Sequence, residues 1–416
     1  MGLKQESQIK WVNNKAYHTA LNQKKSSNFS QEKVDSILAF QRSHPLYTNT
    51  PLYSLKQLAN HLNLQYLKVK DESKRFGLNA FKVMGSIYAI SNYLAKLIGE
   101  DLKDLSFAML QSSTVKQKTG KVTFISATDG NHGRAVAWAA RELGHKAVIY
   151  MPKGSSKKRL AAIQNEGAIA YMTNVNHDET VKMCDDLAKE KKWVMVQDTA
   201  WEGYEEIPLW IMQGYAGIAK EITEQLNLEN AKPPTHIFLQ TGVGSFAASI
   251  TSFFLEIYYK NPPIIVLVEP NQADCYYTSF LNENSERTTI SGELDSIMSG
   301  LCCSEPSTRA FNTLRNEAQA AFSCADEVAA LGMRIFANPL RGDPRIISGE
   351  SGAVTLGLVY YIQKLLSNKT RQALKIDNNS RLLLINTEGN TDAKDYFNIV
   401  WKGAYANFKS NNTLTH

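Results

Sequence analysis

Four short segments of this 416-residue chain carry side chains that can do chemistry. In the first, Lys70-Asp71-Glu72-Ser73-Lys74-Arg75-Phe76-Gly77-Leu78-Asn79-Ala80-Phe81-Lys82, the last lysine has apolar neighbours and opens a helical stretch containing Gly85-Ser86-Ile87-Tyr88-Ala89-Ile90. Lysine is seldom buried without a task, and a desolvated amine near a helix N-terminus favours its neutral form, the nucleophile that makes Schiff bases. Position alone leaves Lys70 and Lys74 as equal candidates. The second segment is Ser126-Ala127-Thr128-Asp129-Gly130-Asn131-His132-Gly133, set between a strand and a helix. Its N–H groups and short polar side chains can hold a carboxylate. Asp129 would repel such a ligand unless it faces a cation or carries a proton, and that conflict marks it as functional. His132 has no ligand-type residue four positions away on either side, so hydrogen bonding suits it better than a metal.

The third segment, Val196-Gln197-Asp198-Thr199-Ala200-Trp201-Glu202-Gly203-Tyr204, places Asp198 at a strand end beside aromatic rings, either as a helix cap or as a site acid. The fourth runs from His236-Ile237-Phe238-Leu239-Gln240 through Thr241-Gly242-Val243-Gly244-Ser245 into an apolar helix, and it satisfies G-x-G-x-x-A with Glu269 ending the next strand. That pattern suits a dinucleotide. The physics is less particular, because bare glycines and the N–H groups of a helix N-terminus accept any phosphorylated ligand.

These segments need rigid elements to hold them. Strand-like Val122 to Ser126, helical Gly133 to Leu143 and strand-like Ala147 to Met151 form one βαβ unit, extended by a helix at Ser156 to Asn165 and a strand at Ile169 to Met172. A second unit runs through His236 to Gln240, a helix at Phe246 to Tyr259 and a strand at Ile264 to Glu269, with further elements at Arg381 to Asn386 and a helix opening at Glu350. The spacing predicts an α/β fold with parallel sheets and a cleft shared by two units. The first thirty and last ten residues lack periodicity and are expected at the surface. Asp101 to Thr119 and Asn282 to Ser307 read as loop-rich, the first as an insertion between domains.

Composition narrows the function. No apolar run approaches the length that spans a bilayer, and the 46 basic residues against 40 acidic ones are interleaved without a basic stripe, so neither membrane nor nucleic acid is the expected partner. Five cysteines without a C-x-x-C fit a reducing compartment and supply no zinc site, and the first residues lack a secretory core. A cytoplasmic protein acting on a small molecule is expected.

Taken in order, the four segments and Asp343-Pro344-Arg345-Ile346-Ile347-Ser348-Gly349-Glu350-Ser351-Gly352-Ala353 resemble fold-type-II pyridoxal-phosphate enzymes, the group of tryptophan synthase β, threonine dehydratase and serine racemase. Within that group they look like the diaminopropionate ammonia-lyase family, from about Pro45 to Trp401. The resemblance implies two domains with open, mainly parallel twisted sheets flanked by helices: a large cofactor-binding domain from 1–94 and 209–416, and a small one from 95–208. It implies a homodimer and pyridoxal 5'-phosphate on Lys82 as a Schiff base. Asn131 would hydrogen-bond that cofactor's phenolic oxygen and Phe81 would contact it, with Gly242, Val243, Gly244 and Ser245 on its phosphate and Thr387 facing its ring nitrogen. Thr128, Asp129 and His132 would meet the substrate, while Lys82, Asp129 and Asp198 would be catalytic. The implied reaction is α,β-elimination from D- and L-2,3-diaminopropionate to pyruvate and two ammonia. Asp129 would stand against the substrate's second amine, where dehydratases carry a small residue. Alternatives are a serine or threonine dehydratase, a nicotinamide-dependent dehydrogenase built on Gly242 to Glu269, and a binding protein without turnover.

Overall fold

The computed structural model describes residues 8–17, 27–128 and 130–406, so Asp129 lies outside the described residues. The strands are β1 (Ile9–Asn13), β2 (Leu52–Ser54), β3 (Tyr66–Asp71), β4 (Thr123–Ala127), β5 (Lys146–Met151), β6 (Ile169–Met172), β7 (Val194–Met195), β8 (His236–Gln240), β9 (Ile264–Pro270), β10 (Ala318–Cys324) and β11 (Arg381–Asn386). They form two sheets, one in the order β1-β10-β9-β8-β11-β3-β2 and one in the order β6-β5-β4-β7. The smaller sheet is wholly parallel. In the larger, β10-β9-β8-β11-β3 are parallel, and only the outer strands β1 and β2 run antiparallel to their neighbours.

Alternation along the central strands sends side chains to two cores. Ile237 and Leu239 of β8 join one cluster with the helices Val83–Leu97, Glu206–Leu228 and Ser245–Ile257, whereas Phe238 joins a second with Asp326–Ala337 and Glu350–Lys364. Every residue of β8 is buried, as expected where helices cover both faces of a parallel sheet. No described helix is long and apolar enough to cross a membrane.

The helices Val83–Leu97 and Glu206–Leu228 meet where glycine removes the side chain: a Cβ on Gly214 would stand 2.3 Å from the Met84 carbonyl oxygen. Buried Gln41 donates to both chains at that crossing, to the Met84 carbonyl at 3.0 Å and the Gly214 carbonyl at 2.8 Å. The helix that begins just after Lys82 is thereby fixed at its first turn.

Two expectations from the sequence are corrected. The N-terminal stretch is not all surface: β1 pairs with β10 and buries Ile9, and Phe29 is buried as well. Five residues at a sheet edge are too few to show periodicity. The stretch from Asp101 to Thr119 is not a loop insertion; it holds helices Phe107–Leu110 and Ser113–Thr119, each N-capped by a serine hydroxyl, with Phe107, Leu110 and Val115 buried.

Candidate active site

Lys82 closes a loop that is zipped onto the end of β11. The Phe81 N–H donates to the Thr387 carbonyl at 3.1 Å, the Glu72 N–H to the Asn386 carbonyl at 2.8 Å, and the Gly389 N–H to the Asn79 carbonyl at 2.9 Å. Its amine is bonded to Asp198 Oδ2 and lies 5.4 Å from the centre of the Phe81 ring, which packs on Tyr215 and Phe246. The wall about Lys82 is therefore not purely apolar as expected, because a carboxylate 116 residues away faces the amine. Burial would raise the Asp198 carboxyl, but the charges of Lys82 and then His132 outweigh it and hold the group well below the usual carboxylate range. Asp198 lines the cleft and caps no described helix.

The three lysines of the loop separate cleanly. Lys74 is exposed. Lys70 is fully buried, but its amine is saturated by the Thr50 carbonyl at 2.8 Å, Glu221 Oε2 at 2.5 Å and Gln225 Oε1 at 2.8 Å. Arg75 joins the same network through Glu72 and Glu221. Lys70 thus serves structure, and only Lys82 lines the cleft.

That cleft, of about 1310 Å³, brings Phe81, Lys82, Thr128, Asn131, His132, Asp198, the turn Gly242 to Ser245 and Thr387 together. The Thr128 hydroxyl accepts from the Gly130 and Gly133 N–H groups at 3.0 and 3.1 Å, which fixes the turn into the helix Asn131–Glu142. His132 Nε2 lies 2.9 Å from the Val196 carbonyl, an acceptor, so that nitrogen carries the hydrogen. Thr387 Oγ1 accepts from Gln240 Nε2 at 2.9 Å, leaving its own hydrogen to donate. Asn131 Nδ2 donates to Glu388 Oε2 at 2.7 Å.

At the glycine turn, Gly244 has φ +95° and precedes the helix Ser245–Ile257, whose first N–H groups have no carbonyl partners within the helix. The Tyr276 hydroxyl donates to the Val243 carbonyl at 3.1 Å, and Ser245 Oγ donates to the Asp198 carbonyl, tying the turn to the acid. Glu269 does not face this turn. It is fully buried, accepting from the Tyr276 and Tyr277 N–H groups at 2.9 and 2.7 Å, and burial pushes its carboxyl up to about 8. The dinucleotide reading required that acid in the cleft and fails on this geometry.

Sequence reasoning missed several residues that line the cleft. Glu388 and Glu350 are buried there, and the segment from Ile290 to Ser304 borders it with Cys302 and Cys303. Across the cleft Arg159 donates to Ser299 Oγ, and Ser304 Oγ donates to Asp178 Oδ2 at 2.7 Å. A charged residue just beyond a parallel strand, as Glu388 is beyond β11, was the one available signal.

The site suits pyridoxal phosphate by its own chemistry: a lysine amine, a bare turn at the N-terminus of a 13-residue helix, and a hydroxyl with a hydrogen to donate line one cleft. The family model of pyridoxal-phosphate dependent enzymes matches residues 44–387. The diaminopropionate ammonia-lyase of Salmonella typhimurium is 46% identical over 375 residues, covering 89% of this chain and 92% of that one. The chain belongs to the diaminopropionate ammonia-lyases. A crystal structure of the Escherichia coli diaminopropionate ammonia-lyase in complex with D-serine is 43% identical, with a TM-score of 0.89, covering 96% of this chain and 98% of that one. Another of that enzyme, with an aminoacrylate-PLP azomethine reaction intermediate, gives a TM-score of 0.87 at the same identity and coverage. Like other diaminopropionate ammonia-lyases, this chain is a pyridoxal-phosphate-dependent lyase.

Proposed function

We propose that the chain eliminates ammonia from both D- and L-2,3-diaminopropionate, giving pyruvate and two ammonia. The observation that carries this reading is the Lys82–Asp198 ion pair set between a glycine turn and an asparagine turn, in a chain 46% identical to a diaminopropionate ammonia-lyase. Pyridoxal phosphate, when bound, supplies the electron sink that makes the substrate's α-hydrogen removable. Lys82 Nζ holds the cofactor, yields its place to the substrate amine, and then takes the α-proton of the L-isomer. Asp129 takes that of the D-isomer, and its negative charge matches the positive charge of the substrate's second amine. Asp198 Oδ2 orients Lys82 Nζ and keeps it supplied with a negative partner.

The remaining residues bind. N–H groups of Gly242, Val243, Gly244 and Ser245 take the cofactor phosphate, Thr387 Oγ1 donates to the ring nitrogen, Asn131 donates to the ring's phenolic oxygen, and Phe81 lines the cofactor site. A neutral hydroxyl at the ring nitrogen withdraws less charge than an acid pair there, which suits elimination through a short-lived carbanion. Thr128 and His132 fix the turn that receives the substrate carboxylate. A small domain over 95–208 closing on a large one over 1–94 and 209–416 excludes water during the reaction. A cytoplasmic homodimer belongs to the same reading, supported by the family resemblance and by the buried thiols Cys184, Cys275 and Cys324, which form no disulfide.

Two substitutions test the roles. Lys82→Ala should abolish turnover of both isomers, and a normal rate in that variant removes the Schiff-base lysine. Asp129→Asn should cost the D-isomer at least about tenfold more than the L-isomer in kcat/KM, on the scale of one general base. Equal losses on both isomers would sink the assignment of one base to each face.

A further inference from the structure

Glu388 is anchored in the cleft by its backbone and by both side-chain oxygens. Its backbone is bridged to Ala80, two residues before Lys82, and its carbonyl accepts the Gly349 N–H at 3.0 Å. One side-chain oxygen, Oε1, accepts the Ser351 N–H at 3.1 Å, in the first turn of the helix Glu350–Lys364, where the helix dipole favours an anion. Gly349 leaves it room: a Cβ there would lie 2.8 Å from Oε1. The other oxygen, Oε2, takes the Asn131 amide at 2.7 Å from a helix that packs against the smaller sheet.

This contact decides which way Asn131 points. An ionised carboxylate only accepts, so the nitrogen end of the amide must face it, and one of the two amide hydrogens is consumed. The second hydrogen is then turned to a fixed place in the cleft. We infer that Glu388 is a positioning residue, which holds the Asn131 amide in one orientation and so sets how that amide meets the ring oxygen of the cofactor. The inference rests on the proposed contact between Asn131 and pyridoxal phosphate. Glu350 supports it. Burial, and then the charge of Glu388, push the Glu350 carboxyl up to about 7, so proton uptake next to Glu388 falls on Glu350 as pH drops toward neutrality. Arg159 opposes that rise in Glu350.

The test uses the cofactor-loaded protein and three variants: Glu388→Gln, Asn131→Ala and the two combined. For each, the visible absorbance of the bound cofactor is followed against pH, with kcat and KM for L-2,3-diaminopropionate. Glu388→Gln keeps shape and folding but accepts or donates with equal ease. It is expected to move the pH midpoint of the spectrum and to lower kcat by about tenfold with KM within about twofold, the scale of one charge-assisted hydrogen bond. Combined with Asn131→Ala it should add nothing further, because it acts through that amide. An unchanged spectrum and kcat in Glu388→Gln, or losses that multiply in the double variant, would overturn the inference. If instead Asn131→Ala itself leaves the spectrum unmoved, the proposed contact of Asn131 with the cofactor fails, and the role of Glu388 falls with it.

Discussion

Replacing Gly244 by alanine tests the phosphate turn where the structure leaves no slack. The ideal Cβ would stand 2.0 Å from the Tyr276 hydroxyl oxygen and 2.7 Å from its Cζ, with a backbone φ of +95° that alanine disfavours. Tyr276 cannot retreat: it is fully buried, packs on Phe280 and Phe311, donates through its hydroxyl to Val243, and has its own N–H bound by Glu269. The left-handed backbone costs about 1 kcal/mol for a residue with a Cβ, the crowding about 1–3, and the lost hydroxyl bond about 1. Some 3–5 kcal/mol therefore falls on the turn proposed to take the phosphate, and at tenfold per ~1.4 kcal/mol the affinity should drop by at least about 100-fold. The assay is titration of cofactor-free protein with pyridoxal phosphate, read by visible absorbance, with melting followed alongside. Tyr276→Phe in the same background removes the nearest atom but not the ring carbon, so it should restore only part of the loss. A Kd within threefold of the parent in Gly244→Ala would refute the placement of the phosphate at this turn.

Three further outcomes follow from the charges. Lys70→Met breaks a fully buried pair with Glu221 and should cost about 3–5 kcal/mol in urea unfolding while leaving the cofactor absorbance intact; loss of that absorbance would make Lys70 a cofactor lysine. Asp198 is held below its ordinary value of 3.8, so its contribution is present above that pH and disappears as pH falls through the lower folded value. In cofactor-free protein the stability gap between parent and Asp198→Asn should thus be level from pH 6 to 8 and shrink only below about pH 4; a gap that closes near pH 6 contradicts the pairing. Glu350 has the opposite sign: its folded value is raised from 4.5 to about 7, so the folded state keeps a proton that the unfolded chain releases. Stability should fall by about 3 kcal/mol as pH rises through that window, Glu350→Gln should lose the slope, and parallel pH curves for the two proteins would exclude it.

Much of this arrangement was legible along the chain because it is local. The run His236 to Gln240 with the glycines after it specifies a buried parallel strand and a turn into a helix, and the structure places both there. What decides among the lysines is not local. Lys70 and Lys82 both lie in one short polar segment, and the difference between them is made by Glu221, 151 residues from the one, and Asp198, 116 residues from the other. Glu388 meets Asn131 across 257 residues of sequence, so no periodicity could have paired them. Glu269 shows the converse: its spacing suited a ribose, but the N–H groups of Tyr276 and Tyr277 capture it under the sheet end.

The most direct measurement is the visible spectrum of the purified protein before and after adding D- and then L-2,3-diaminopropionate, with pyruvate and ammonia counted in the same samples. The account predicts cofactor absorbance that changes with either isomer, and pyruvate released with two ammonia per turnover. Cofactor absorbance without pyruvate from either isomer would contradict the assigned reaction.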